Sequence, residues 1–151
     1  MAFDGVFRLL QIEDCTGDVL ALRRSLKRTG APVEITVAAS AERALDLLAI
    51  SPLSYFDLVL TDINLPGMSG LDFLAALKTR AVRVESLIFV LSSSTREADI
   101  ALAYSRGADG FLVKPYDSET YERFGRFLVS IGHGDIQAVY DGIQVPQRRR
   151  A

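Results

Sequence analysis

The chain has 151 residues, 49% hydrophobic and 24% charged, a composition that fits one globular domain with a buried core and argues against disorder. A formal net charge of -2 disfavours a general polyanion-binding surface. The single cysteine, Cys15, excludes an intramolecular disulfide and a cysteine-based metal cluster.

In chain order, Phe7-Arg8-Leu9-Leu10-Gln11-Ile12 reads as a first strand running straight into Glu13-Asp14. A helix follows over about Thr16 to Thr29, with Val19, Leu22 and Leu26 on one face, and Gly30 and Pro32 stop it. Val33 to Ala38 alternates apolar and polar residues, as an edge or half-buried strand does. Ser40 is placed to cap a helix over Ala41 to Ile50, striped by Ala44, Leu47 and Leu48. The stretch from Phe56 to Gly67 begins as a short apolar run, the pattern of a buried parallel strand, and delivers Asp62 into a loop closed by Pro66 and Gly67.

Ser69 or Gly70 opens a helix carrying Leu71, Leu74, Ala75 and Leu77 to about Arg80. Leu87 to Leu91 is a second strongly apolar run, ending at Ser92-Ser93-Ser94. Glu97 to Arg106 reads as a helix with Gly107 as its left-handed stop. Phe111-Leu112-Val113 is a short strand ending at Lys114-Pro115, and a last helix runs from about Ser118 to Ile131 with Tyr121, Phe124, Leu128 and Ile131 on one stripe. Roughly five such β-α units predict an α/β fold with a parallel sheet and helices on both faces. No signal peptide and no membrane-length apolar run is visible, so a soluble, cytoplasmic protein without nucleic-acid or membrane contacts is expected. Arg148, Arg149 and Arg150 read as a solvated tail.

The reactive residues fall at strand ends: Glu13-Asp14 after the first, Asp62 at the third, Ser92 at the fourth and Lys114 at the fifth. In a parallel sheet these ends share the edge where ligands bind. Taken singly, the acids suit a helix N-terminus, Ser92 suits a turn and Lys114 suits the surface. Together they are complementary. Three neighbouring carboxylates call for a cation, and hard oxygens without histidine or cysteine favour Mg²⁺. Asp62 is then available as a nucleophile, with Ser92 and Lys114 suited to the oxygens of a transferred phosphoryl group.

The stretches Ile12-Glu13-Asp14, Asp57 to Gly70, Val90-Leu91-Ser92 and Gly107 to Pro115 resemble the receiver domain of two-component response regulators, in order and over about Phe7 to Ile131. The resemblance implies a flavodoxin-like (CheY-like), doubly wound, five-stranded parallel sheet of order 2-1-3-4-5. It implies that Asp62 is the phosphoacceptor for a sensor histidine kinase. Asp14, Asp62 and the backbone carbonyl of Asn64 would hold Mg²⁺, with Glu13 acting mainly through a metal-bound water. Ser92, Ser93 and Lys114 would bind the phosphoryl oxygens, Ser92 and Phe111 would form the switch, and the bond before Pro115 would be cis. Ser92 stands where Thr is frequent, Phe111 where Tyr is frequent, and Cys15 where Asn is common.

Thr16-Gly17-Asp18-Val19, Ser92 to Ile100 and Pro115-Tyr116-Asp117 also look like the single-domain regulators that partner phytochrome-type kinases. That likeness implies a homodimer through the fourth helix, fifth strand and fifth helix. Residues 1–131 would form the receiver domain. Residues 132–151 would form an extension whose apolar positions from Ile136 to Val145 suit a dimerisation arm, leaving no room for a DNA-binding output domain. The expected function is a stand-alone phosphoacceptor that assists its own phosphorylation and dephosphorylation, has no separate substrate, and presents a switched surface to a downstream protein. Two alternatives are an aspartyl-phosphate-forming small-molecule phosphatase, disfavoured by Asn64 where a second acid is expected, and a receiver-like scaffold that is not phosphorylated.

Overall fold

The computed structural model describes residues 5–51, 55–79, 86–93 and 96–132. Five strands alternate with five helices: β1 (Phe7–Ile12), α1 (Thr16–Arg28), β2 (Val33–Ala38), α2 (Ala41–Ile50), β3 (Leu58–Asp62), α3 (Gly70–Thr79), β4 (Leu87–Ser92), α4 (Glu97–Ser105), β5 (Gly110–Val113) and α5 (Ser118–Gly132). The sheet is parallel throughout, in the expected order β2-β1-β3-β4-β5. Apolar runs without polar interruption make β3 and β4 central strands, whereas β2 keeps its alternation because it lies at the edge.

Successive residues on a strand point to opposite faces, so each strand feeds two cores. Phe7, Leu9, Leu58, Leu60, Phe89, Leu91 and Leu112 pack against α1 and α5 through Leu22, Leu26, Phe124 and Leu128. Leu10, Ile12, Val59, Ile88, Val90 and Phe111 pack on the other face against α2, α3 and α4. The helix ends follow local chemistry. Ser40 Oγ accepts from the Arg43 N–H to cap α2, and Ser69 Oγ accepts from the Asp72 N–H at the start of α3. Gly107, at φ 101°, stops α4 in the left-handed region.

Alpha1 and α5 approach closely at Gly125, where an added Cβ would lie 2.5 Å from Ser25 Oγ and 3.0 Å from the Ser25 carbonyl. Gly125→Ala gains about 1 kcal/mol of helix propensity, but prising the helices apart costs about 2–3 kcal/mol. The expected net loss of about 1–2 kcal/mol is read by urea denaturation. An unchanged midpoint would show that the two helices separate freely.

One expectation is corrected. No cis peptide occurs among the described residues, so the Lys114–Pro115 bond is trans. Trans is the lower-energy isomer of an X–Pro bond by about 0.5–1 kcal/mol. Here Pro115 is buried, and Thr120 Oγ1 accepts the N–H groups of Tyr116 and Asp117, carrying a trans chain into α5. Ser94 and the proposed arm from Ile136 to Val145, like the arginines at 148–150, lie outside the described residues. Among those described, no helix is long and apolar enough to cross a membrane.

Candidate functional site

Strand register brings the candidate residues level at one edge of the sheet. Ile12 pairs with Thr61, Asp62 with Leu91, and Ser92 with Val113. Glu13 and Lys114 each continue a strand by one residue: the Glu13 N–H donates to Ala38 O at 3.0 Å and the Lys114 N–H to Ser92 O at 2.8 Å. After Asp62 the chain folds back on itself. Both Leu65 and Gly70 donate their N–H groups to Ile63 O, at 3.1 and 3.0 Å, and the Asn64 N–H donates to Asp62 Oδ1 at 3.2 Å. Gly67 takes φ 74° to complete the turn, and Glu42 on α2 accepts the Met68 N–H at 3.3 Å.

The Lys114 ammonium lies at the centre, bonded to Glu13 Oε1 at 2.6 Å, Asp18 Oδ2 at 2.8 Å and Asp62 Oδ2 at 3.0 Å. Glu13, Asp14 and Asp62 each offer a carboxylate oxygen within 4.8 Å of the others, a hard-oxygen group that could hold a divalent cation. Four carboxylates thus crowd one ammonium, and the excess is negative. Burial raises the Glu13 pKa and the Asp62 charge adds to it, so the net direction is upward even against the Lys114 bond. Burial by itself would push the Lys114 ammonium down. The bonds to Asp18, Glu13 and Asp62 outweigh it and hold its pKa above the ordinary lysine value. For Asp18, burial raises the pKa but the Lys114 bond wins and the net direction is down.

Of the residues read from the sequence, Glu13, Asp14, Asp62 and Lys114 meet. Asn64 is exposed and touches Asp62 through its N–H. Ser92 is fully buried at the end of β4, where strand alternation puts it on the same face as Val90 and Phe111. Ser93 is exposed just beyond the strand. Phe111 is 1% exposed, packed inward, and its N–H donates to the Tyr104 hydroxyl of α4 at 3.1 Å.

Several participants carry no local signal. Asp18 reads as an ordinary first-turn acid of α1, yet it holds Lys114. Tyr121 reads as part of the α5 stripe, yet its hydroxyl donates to Asp18 Oδ1 at 3.0 Å. Burial first, then the Asp18 charge, raises the Tyr121 pKa. Tyr104 and Glu42 are likewise known only from their partners. Asp18 is the nearest to legible, because a first-turn position after the acid pair points back to the same edge.

Comparison with known proteins agrees with this arrangement. PmrA, a response regulator of Pseudomonas aeruginosa, is 32% identical over 142 residues, covering 86% of this chain and 60% of its own. The cell cycle transcriptional regulator CtrA of Caulobacter vibrioides is 33% identical over 112 residues, covering 74% of this chain and 46% of its own. The chain spans less than two thirds of the length of these curated relatives. A two-component response regulator from Legionella pneumophila superposes with TM-score 0.71 at 27% identity, covering 85% of this chain and 98% of that one. The phosphorylated cyanobacterial phytochrome response regulator RcpA shares the fold, with TM-score 0.75 at 22% identity over 83% of this chain and 92% of that one. The model of the response regulator receiver domain matches residues 9–123, a span that takes in every strand end where the acids and the lysine meet. The chain therefore belongs to the receiver domains of two-component response regulators.

Proposed function

We propose that Asp62 accepts a phosphoryl group from a sensor histidine kinase in a Mg²⁺-dependent transfer, and that the phosphorylated state alters a surface formed by α4, β5 and α5. The observation that carries this reading is the 3.0 Å bond from the Lys114 ammonium to Asp62 inside a cluster shared with Glu13 and Asp14. An Asp62 carboxylate oxygen attacks phosphorus, forming the O–P bond as the P–N bond to the kinase histidine breaks and the ring nitrogen leaves with the electron pair. Asp14, Asp62 and the Asn64 carbonyl would hold Mg²⁺, with Glu13 acting through a metal-bound water. The bound ion supplies positive charge to the phosphoryl oxygens. Lys114 adds a point charge, and Ser92 and Ser93 supply hydroxyl donors to the same oxygens.

Movement of the buried Ser92 toward the phosphoryl group would be felt by Phe111, and the Phe111–Tyr104 bond supports transmission to α4. The same surface is the proposed contact for a homodimer and for a downstream protein, with residues 132–151 as the added arm. The stretches resembling phytochrome-associated regulators, together with the fold shared with RcpA, support a bacteriophytochrome as the kinase and a cytoplasmic setting. No separate small-molecule substrate is assigned.

Incubation with an acyl-phosphate donor and Mg²⁺ is expected to add one phosphoryl group at Asp62 by intact-mass and peptide analysis, and none to Asp62→Asn. Light scattering of the protein with beryllofluoride and Mg²⁺ is expected to show the dimer. Absence of label on the wild type, or equal label on Asp62→Asn, overturns the phosphoacceptor assignment. A monomer mass in light scattering with beryllofluoride and Mg²⁺ overturns the dimer.

A further inference from the structure

An ammonium group has three N–H donors, and in this structure Lys114 meets three different carboxylates with them: Glu13, Asp18 and Asp62. It therefore has no donor left for a phosphoryl oxygen until an acid lets go. Glu13 and Asp62 belong to the group that could hold a divalent cation, and Asp18 does not. Asp18 comes from α1 rather than from a strand end. Its two oxygens are divided: Oδ2 takes Lys114 at 2.8 Å, and Oδ1 accepts the Tyr121 hydroxyl of α5 at 3.0 Å. Tyr121 is 8% exposed and the Asp18 side chain 29%, so the bracket is well shielded at its α5 end. Charge-assisted bonds in such surroundings are the stronger kind and fix geometry as well as energy.

Engagement of Glu13 and Asp62 elsewhere releases two of the three donors. Only Asp18 stands outside that exchange and keeps its hold. We infer that Asp18, oriented by Tyr121, is a positioning residue that anchors the Lys114 ammonium beside Asp62 while the other two donors change partners. The inference rests on the reading of Asp62 as the phosphoacceptor and deepens it. Its consequence is a separation of two affinities. Losing the anchor weakens the hold on a phosphoryl group and spares the metal site, whereas a general distortion of the strand ends harms both.

Three variants test this: Asp18→Asn, Tyr121→Phe and the two combined. Affinity for beryllofluoride in the presence of Mg²⁺ is expected to fall about tenfold in Asp18→Asn and about threefold in Tyr121→Phe. The double variant is expected to be no weaker than Asp18→Asn, because Tyr121 acts only through Asp18. Affinity for Mg²⁺ alone is expected to stay within about twofold of the wild type. In the metal-free protein, the ¹⁵N signal of the Lys114 ammonium is expected to be visible in the wild type and broadened by proton exchange in Asp18→Asn. Unchanged beryllofluoride affinity in Asp18→Asn, a parallel loss of Mg²⁺ affinity, or additive effects in the double variant overturns the inference. If the wild type binds no beryllofluoride, the phosphoacceptor reading fails. The ammonium signal then decides the role of Asp18 by itself, and an equally sharp signal in Asp18→Asn overturns it.

Discussion

Lys114→Met is expected to lower the unfolding free energy of the metal-free protein by about 3 kcal/mol at neutral pH, read by urea denaturation. Among the described residues, Lys114 is the cation bonded to Glu13, Asp18 and Asp62, with Asp14 close by. A methionine of similar length preserves the packing of the stem and leaves the carboxylates facing one another without compensation. Mg²⁺ is expected to return part of the loss, since an ion that binds the native state alone stabilises it by mass action. A loss under about 1 kcal/mol would show that water or protonation, rather than Lys114, relieves the crowded acids.

The same lysine has a pH signature. Its folded pKa is raised above the unfolded value of about 10.4. Its contribution is therefore fully present below about pH 10 and is lost as the pH rises through the folded value. Tyr121, whose folded pKa is also raised, loses stability in the same direction. The wild type is thus expected to weaken above about pH 10 more steeply than Lys114→Met, which keeps only the tyrosine contribution. Asp18 works at the other end. Its lowered folded pKa gives stability present above about pH 4 and lost as the pH falls through the folded value.

Gly70→Ala is expected to cost about 3 kcal/mol or more and to stop phosphoryl labelling of Asp62 at temperatures where the variant is still folded. A Cβ at Gly70 would overlap the Asp62 carbonyl oxygen and lie 2.9 Å from the Asp62 carbonyl carbon and 3.1 Å from Ile63 Cα. All three obstacles are backbone, so no side chain can swing aside. The chain must open where the Gly70 N–H meets Ile63 O, and that opening displaces the loop carrying Asn64 behind Asp62. Thermal unfolding measures the first effect and intact mass the second. A variant with wild-type stability and wild-type labelling would show that the loop moves without consequence for Asp62.

Much of this architecture is local and could be read in advance. Beta1, β2 and α2 begin and end at the residues expected of them, because alternation in Val33–Ala38 and the Ser40 cap each act within a few positions. The buried strand begins at Leu58, two residues later than its apolar run, because Asp57 turns its side chain to the Arg8 N–H. Helix stripes were legible where the face is broad, as on α5, where Tyr121, Phe124, Leu128 and Ile131 are all buried. The trans bond before Pro115 was not legible. Isomer preference is small, and the turn into α5 that decides it depends on Thr120.

The order of strands and helices, the two-sided core, and the convergence of Glu13, Asp14, Asp62 and Lys114 are all written in the pattern of residues along the chain. These follow from hydrophobic period and from parallel strands ending at one edge. What Lys114 holds, and what holds Gly70 in place, depends on contacts between distant segments. Asp18 and Tyr121 are 103 residues apart in the chain and meet because α1 and α5 pack together at Gly125. Gly70 is needed for close backbone approach rather than for a left-handed turn, a need that appears once Asp62 and α3 are folded against each other.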